Sequence, residues 1–213
     1  MPLKINEIYY SVQGESTHAG RPCIFIRLTY CNLRCSYCDT EYAFYDGEDM
    51  EIIEIMEKIQ QWDCNLVEVT GGEPLFQEEC LELLKKLVSN NYEVMLETGG
   101  SLSISDVPNE VIKIADFKCP SSGMEKKNLW SIVDDLQPHD EVKFVIGNRE
   151  DFDWAKDKIE EYSLDKKCTV LFSPTFGEID PQQIVGWILA ENLPVRMQMQ
   201  MHKMIWDPDK QGV

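Results

Sequence analysis

Residues 29–40 read "TYCNLRCSYCDT" and place Cys31, Cys35 and Cys38 within eight residues, with gaps of three and then two. A closed structural zinc site takes four ligands, and a disulfide framework takes an even number of cysteines. Three thiols at this spacing leave one ligand position open. A zinc knuckle would have to borrow its fourth ligand, from Cys23, Cys64, Cys119 or His18. Zinc sites usually pair two short Cys-Xaa-Xaa-Cys turns, and only one is present here. An iron–sulfur cluster held by three thiolates keeps one iron open to a ligand. The other cysteines, at 23, 64, 80, 119 and 168, sit singly in apolar or helical surroundings and read as small core hydrophobes.

Around this stretch, apolar β-branched runs alternate with helical patterns. "CIFIRLT" (23–29), "LVEVT" (66–70), "YEVMLET" (92–98), "VIKIAD" (111–116), "EVKFVIG" (141–147), "CTVLF" (168–172) and "PVRMQM" (194–199) read as strands. Helical spacing marks 49–62, with Ile52, Ile53, Met56 and Ile59 on one face, and 78–91, with Leu81, Leu84 and Val88. It also marks 151–163 and 181–192, and more weakly 126–136. Such alternation predicts βαβ units and a mainly parallel α/β sheet, which periodicity alone leaves as either an open sheet or a barrel. The polar segments "CNLRCSYC", "GGEP", "GG", "KCPSSG" and "SPTFG" each follow a strand. In parallel α/β folds sites are built at that carboxyl-terminal edge.

The 213 residues suffice for a single domain with a real core. Hydrophobic content of 43% and charged content of 27% are those of an ordinary globular protein. No apolar run approaches the about 20 residues of a membrane helix, and "MPLKINEIYY" has no signal-peptide pattern. The expected compartment is the cytoplasm, where clustered thiols stay reduced and serve metals or catalysis. A net charge of −18 opposes a grip on nucleic-acid phosphates, so neither nucleic acid nor membrane is an expected partner.

The cysteine triplet after a strand, with Tyr37 before its last thiol, resembles the radical S-adenosylmethionine (SAM) superfamily. There the open iron chelates SAM, and its reductive cleavage yields a 5′-deoxyadenosyl radical that abstracts hydrogen. "TGGEP", Thr70 to Pro74, is similar to that superfamily's SAM-amino element. Its glycines allow close backbone approach, and Glu73 would add negative character. Further stretches narrow the resemblance: "YYSVQGES" (9–16), "CDT", "ETGG", "DFKCPSSG", "KFVIG" and the terminal "MHKMIWDPDKQGV". Together, over nearly the whole chain, they resemble the 7-carboxy-7-deazaguanine synthase family of queuosine and deazapurine biosynthesis.

The resemblance implies a partial (β/α) TIM-like barrel with few helices, in one domain. Its tail, about residues 200–213, would dock over the site. It implies a lyase that turns 6-carboxy-5,6,7,8-tetrahydropterin into 7-carboxy-7-deazaguanine with loss of ammonia. A 4Fe–4S cluster, SAM, Mg2+, a flavodoxin-like or ferredoxin-like electron donor and a homodimer go with it. Carried over, Cys31, Cys35 and Cys38 hold the cluster, and Thr40 offers its hydroxyl to Mg2+. Tyr37, Cys38, Asp39, Gly72 and Glu73 adjoin SAM. Lys118, Pro120 and Ser121, extending to Ser122, join Ser173, Pro174, Thr175 and Phe176 as further cofactor positions, with Gln198 beside them. Val12, Gln13, Gly14, Glu15, Arg27, Thr70, His202 and the Val213 carboxylate line the pterin.

The chemistry of these residues agrees in part. Gln13 carries both a donor and an acceptor for a flat polar heterocycle. Arg27, inside an apolar strand, needs a partner: a substrate carboxylate or an acidic residue at the barrel mouth. Thr40 reads as a helix cap as readily as a metal ligand. Met204, Ile205 and Trp206 near the chain end favour a docked tail, each worth about 1.5–3 kcal/mol if buried. A glycyl-radical-enzyme activase and a zinc-stabilised interaction protein are the competing readings.

Overall fold

The computed structural model describes residues 1–213. Nine strands form one sheet: β1 (Leu3–Val12), β2 (Pro22–Leu28), β3 (Glu48–Met50), β4 (Leu66–Gly71), β5 (Glu93–Thr98), β6 (Ile112–Phe117), β7 (Glu141–Ile146), β8 (Thr169–Pro174) and β9 (Arg196–Met197). Their order is β3-β1-β2-β4-β5-β6-β7-β8-β9. From β2 to β9 every pairing is parallel, while β1 runs antiparallel to both β2 and β3. The helices are α1 (Ile52–Ile59), α2 (Cys80–Ser89), α3 (Arg149–Tyr162), α4 (Pro181–Glu191) and the short α5 (His202–Ile205). This is the expected partial barrel with few helices.

Period-two alternation divides each strand between two faces. On β2, Ile24, Ile26 and Leu28 join the main core against the helices, whereas Cys23 and Phe25 belong to a second cluster with Leu66, Met95 and Ile114. Farther along that second face the side chains turn polar: Arg27, Glu68, Glu97, Asp116, Lys143 and Ser173 all line one cavity. An apolar floor thus underlies a charged layer at the carboxyl ends of the strands.

Two expectations fail at the edges. The ten-residue β1, absent from the strands read from sequence, pairs along β2; its mixed pattern hides the strand because polar residues such as Glu7 and Tyr9 face the site side. The run 194–199 keeps strand geometry only at Arg196–Met197, where the sheet ends. The helical face of α1 is Ile55, Met56 and Ile59 rather than Ile53, which is 60% exposed. In α2 the fully buried positions are Cys80, Leu83, Leu84 and Leu87, with Leu81 and Val88 at the margin of the core.

The segment 126–136 is not an α-helix but two 3-10 pieces, Glu125–Lys127 and Trp130–Asp134. Here Trp130 stacks between Phe117 and Tyr162, with ring centroids at 4.4 and 4.5 Å. Aromatic area covers the sheet where a crossover helix is missing, and stacked rings add to burial alone.

Candidate active site

The cysteine loop is pinned from both sides. Tyr30, in the left-handed region at φ 76°, donates its N–H to Ala43 O at 3.0 Å and accepts from Glu73 N at 2.8 Å. Ser36 donates its N–H to Ser122 O at 3.1 Å and its hydroxyl to Ser121 O at 2.7 Å. Gly72 is required by contact: a Cβ there would lie 2.3 Å from Tyr30 O and 2.8 Å from Cys31 Cβ.

Held this way, Cys31, Cys35 and Cys38 are free, half-buried and on the wall of a 920 Å³ cavity. No three His, Cys, Asp or Glu side chains converge on a single metal ion, and a four-iron cluster is larger than one zinc ion. Burial pushes all three thiols up, Cys38 to about 11. Binding iron as thiolates therefore releases protons.

Three buried polar atoms have no protein partner: Tyr37 Oη, Asp116 Oδ1 and Thr175 Oγ1. All three residues line the same cavity. Orphaned buried polar groups call for an explanation, and here they suit polar ligands, with Tyr37 and Thr175 among the residues inferred for SAM. Cavities of roughly 300–1,000 Å³ hold such ligands.

Most of the residues inferred from sequence meet in this cavity: Val12, Gln13, Gly14, Glu15, Arg27, Tyr37, Cys38, Asp39, Thr40, Thr70, Gly72, Lys118, Ser173, Pro174, Thr175, Phe176, His202 and Val213. Glu73 does not. Its carboxylate is 0% exposed and accepts from Leu75 N, Thr98 Oγ1 and Gly99 N at 3.1, 2.9 and 2.7 Å. It braces the Gly71–Gly72 turn against the end of β5 rather than facing a ligand. Pro120, Ser121, Ser122 and Gln198 also stand behind the wall. Ser121 is tied to Asp151 and carries the cysteine loop, while Gln198 donates to Glu15 Oε2 at 3.0 Å.

Gln13 is likewise committed. It donates to Glu68 Oε2 and accepts from Glu15 N at 3.0 Å, so its amide orders neighbouring carboxylates. Arg27 has the acidic partner that an apolar strand demands: Nε donates to Glu7 Oε1 at 2.8 Å and Nη2 to Tyr9 Oη at 3.2 Å. Two of its five N–H groups are used and three remain. Thr40 precedes a 3-10 helix without a side-chain cap bond; its hydroxyl donates to Asp39 Oδ1 at 2.9 Å.

The tail meets the site through its backbone and polar side chains, not through the apolar anchors expected near the chain end: Met204 is 69% and Ile205 54% exposed, because the short α5 turns them away from the sheet. Met201 donates its N–H to Gly14 O at 2.9 Å, and Lys203 Nζ lies 2.6 Å from Asp39 Oδ2. Gln200 Nε2 bridges Glu15 Oε1 and Asp39 Oδ2 at 3.0 and 3.1 Å. A side chain at Gly14 would collide with His202, whose backbone N is 3.1 Å from the Cβ position. Against the pull of burial, Lys203 and the hydrogen bonds to Asp39 hold that carboxyl well below the usual range. Burial lowers His202, which favours the neutral ring.

Sequence reasoning missed Glu68, Glu97, Asp116, Lys143 and Gln200. For the four charged residues the signal was a charge inside an apolar strand, the same one that singled out Arg27; Gln200, neutral and beyond β9, carried no such signal. Burial, followed by repulsion from Glu97, pushes the Glu68 carboxyl up to about 8. Between the ordinary carboxyl range and about 8 the folded protein keeps a proton that the unfolded chain has lost, so this group's contribution to stability falls as pH rises. Glu68→Gln keeps an acceptor for Gln13 and removes the titration. Its melting temperature should gain on the wild type from about pH 5 to about pH 8, by up to about 1.4 kcal/mol per pH unit, or roughly 2–4 °C per kcal/mol. Parallel melting curves for the two proteins across that range would contradict the assignment.

Residues 25–119 match the radical SAM superfamily. The chain is 43% identical over 226 residues to a 7-carboxy-7-deazaguanine synthase of Koribacter versatilis, covering 99% of this chain and all of that protein. It is 44% identical over 215 residues to one of Chlorobaculum tepidum, covering 100% and 98%. The chain belongs to the 7-carboxy-7-deazaguanine synthase family. The crystal structure of QueE from Escherichia coli shares the fold, with a TM-score of 0.79 at 23% identity over 95% of both chains. Like the family, this chain is a radical SAM enzyme of deazapurine biosynthesis. A 4Fe–4S cluster, SAM and Mg2+ are its cofactors, and the thiols, with Tyr37 Oη and Thr175 Oγ1, fit the first two. No helix is long and apolar enough to cross a membrane.

Proposed function

We propose that the chain converts 6-carboxy-5,6,7,8-tetrahydropterin to 7-carboxy-7-deazaguanine by radical ring contraction with loss of ammonia. The observation that supports this most is a cavity with two faces of opposite character. Arg27 offers three uncommitted N–H groups, a fork suited to a carboxylate, and Thr70 lies beside it in register. Across the floor stand the acceptors Glu15, Glu68, Glu97 and Asp116, suited to the N–H-rich rings of a pterin.

In this reading Cys31, Cys35 and Cys38 hold the cluster, which with SAM supplies the radical. Tyr37, Asp39, Gly72, Lys118 and the stretch Ser173–Phe176 form the SAM side of the cavity. Thr40, its hydroxyl oriented by Asp39, keeps oxygen lone pairs for Mg2+, which takes one or two protein oxygens. Anaerobic protein given reductant, SAM, Mg2+ and the pterin should release ammonia and the deazaguanine acid. SAM cleavage that the pterin does not stimulate would overturn the substrate assignment.

The tail, residues 200–213, docks over this mouth. Residues 208–213 line the cavity, and a Cβ on Gly212 would sit 3.9 Å from Glu7 Oε2, the partner of Arg27. The Val213 carboxylate is thereby near enough to accept from the substrate, with His202 beside Gly14. A few residues added after Val213 should weaken pterin affinity about tenfold, the low end of what one charge-assisted hydrogen bond is worth, with iron content and SAM binding unchanged. A tagged protein of unaltered affinity would remove the carboxylate from the site.

The same reading takes the chain as one domain working in the cytoplasm as a homodimer, reduced by a flavodoxin-like or ferredoxin-like donor. One continuous sheet supports the single domain. Light scattering reads the oligomer, and loss of the oxidised cluster's absorbance on adding reduced flavodoxin or ferredoxin reads the donor.

A further inference from the structure

Lys143 stands on β7 with its side chain 7% exposed. Its ammonium lies 3.0 Å from Glu15 Oε2 and 3.4 Å from Asp116 Oδ2, and it donates a short hydrogen bond to Glu97 Oε1. These carboxylates come from three other places: the loop after β1, β5 and β6. A lysine ammonium has three protons. Two are donated to Glu15 and Glu97; the Asp116 contact is an ion pair, and its Oδ2 also lies 3.1 Å from Lys118 Nζ, so the ammonium is turned wholly toward the protein's own carboxylates.

The consequence falls on the carboxylates. Lys143 takes one oxygen of Glu97 and one of Asp116. The second oxygen of Asp116 is buried with no partner, and Glu97 lines the cavity with its second oxygen uncommitted. Gln198 and Gln200 complete Glu15. Without a cation, acids this close in a desolvated floor would retain protons. Burial raises Glu97 and Lys143 opposes it; on Glu15 the opposition, led by Lys143, wins and the carboxyl falls below its ordinary value.

We propose that Lys143 is a positioning residue whose ammonium keeps Glu15 and Glu97 ionised and, with Lys118, holds Asp116 turned so that free oxygens of Glu97 and Asp116 meet the N–H donors of the substrate. The inference rests on the pterin reading above. The charged and titratable groups facing this centre are Glu15 from the loop after β1, Glu68 from β4, Glu97 from β5, Asp116 and Lys118 from β6 and its end, and His202 from α5.

The test is the pterin dissociation constant of the reconstituted, SAM-loaded protein, measured by anaerobic calorimetry without reductant across about pH 6 to 9. Lys143→Met should weaken binding at least about tenfold at neutral pH. Affinity should recover as pH rises, because carboxylates stripped of their cation ionise only there. Lys143→Arg, which keeps the charge, should retain the wild-type pH profile with a smaller loss. Glu97→Gln should weaken binding without recovery at high pH. Lys143→Met with normal iron content and wild-type affinity at every pH overturns the inference. If Lys143→Met does not fold, wild-type affinity in both Lys143→Arg and Glu97→Gln overturns it. Failure of the wild-type protein to bind the pterin at all would instead overturn the functional reading beneath it.

Discussion

Alanine at Cys31, Cys35 or Cys38 is expected to abolish the iron–sulfur absorbance and bring iron content close to zero after anaerobic reconstitution. In the proposed site each thiolate would be one of only three, with the remaining iron position left to SAM. No other cysteine can stand in. Cys80 is 0% exposed inside α2 and packs in the main core, and Cys23 lies under the apolar floor. Cys80→Ala should therefore leave iron content unchanged while lowering the melting temperature by a small core-truncation effect. Equal iron loss in Cys80→Ala would mean that the wrong thiols have been assigned. The loop itself should survive each substitution, because its backbone is held mainly by Ala43, Glu73 and Ser122; Cys31→Ala loses only the weak Leu33 N–H contact to sulfur at 3.4 Å.

The second large effect is expected at Arg27. Arg27→Met should weaken pterin binding about 100-fold, with cluster content and SAM binding retained. A charge-assisted hydrogen bond is worth about 1.5–3 kcal/mol, and about 2.8 kcal/mol corresponds to the 100-fold loss. The same substitution leaves Glu7 without its cation, though Tyr42 Oη still donates to Glu7 Oε1 at 3.0 Å. Affinity loss without loss of fold is thus the expected pattern, checked by calorimetry beside circular dichroism. A folded Arg27→Met protein that binds the pterin normally would place the substrate carboxylate elsewhere.

Much of this was legible beforehand because it is local. Three cysteines in eight residues stay together in any fold, since chain connectivity keeps them within reach. Glycines at 71 and 72 announce a close approach. Helices α3 and α4 announce their ends: the Asn148 and Asp180 side chains accept from Asp151 N at 3.0 Å and Gln182 N at 2.9 Å. The parallel sheet followed from strand and helix alternation. Glu73 shows the limit of motif reasoning. Its place in "GGEP" suggested a ligand, but the carboxylate turns inward because the Thr98 hydroxyl, shared between its two oxygens, and the Gly99 N–H donate to it from a strand end twenty-five residues away.

What sequence alone could not decide is which face of a strand a charge occupies. Lys113 in "VIKIAD" and Lys143 in "EVKFVIG" read identically, each a lysine between apolar neighbours. In the fold Lys113 shares its face with Ala115 and Phe117, on the helix side, where it lies 3.1 Å from Asp140 and is 1% exposed. Lys143 lies beside Asp116 in register and faces the cavity. A strand's alternation fixes which residues share a face, but register against neighbouring strands fixes where each face points. Chain-local spacing therefore singled out the cysteine triplet and the mainly parallel α/β class. The charged floor, assembled from β4, β5, β6, β7 and the loop after β1, exists only once long-range pairing has brought those strands edge to edge.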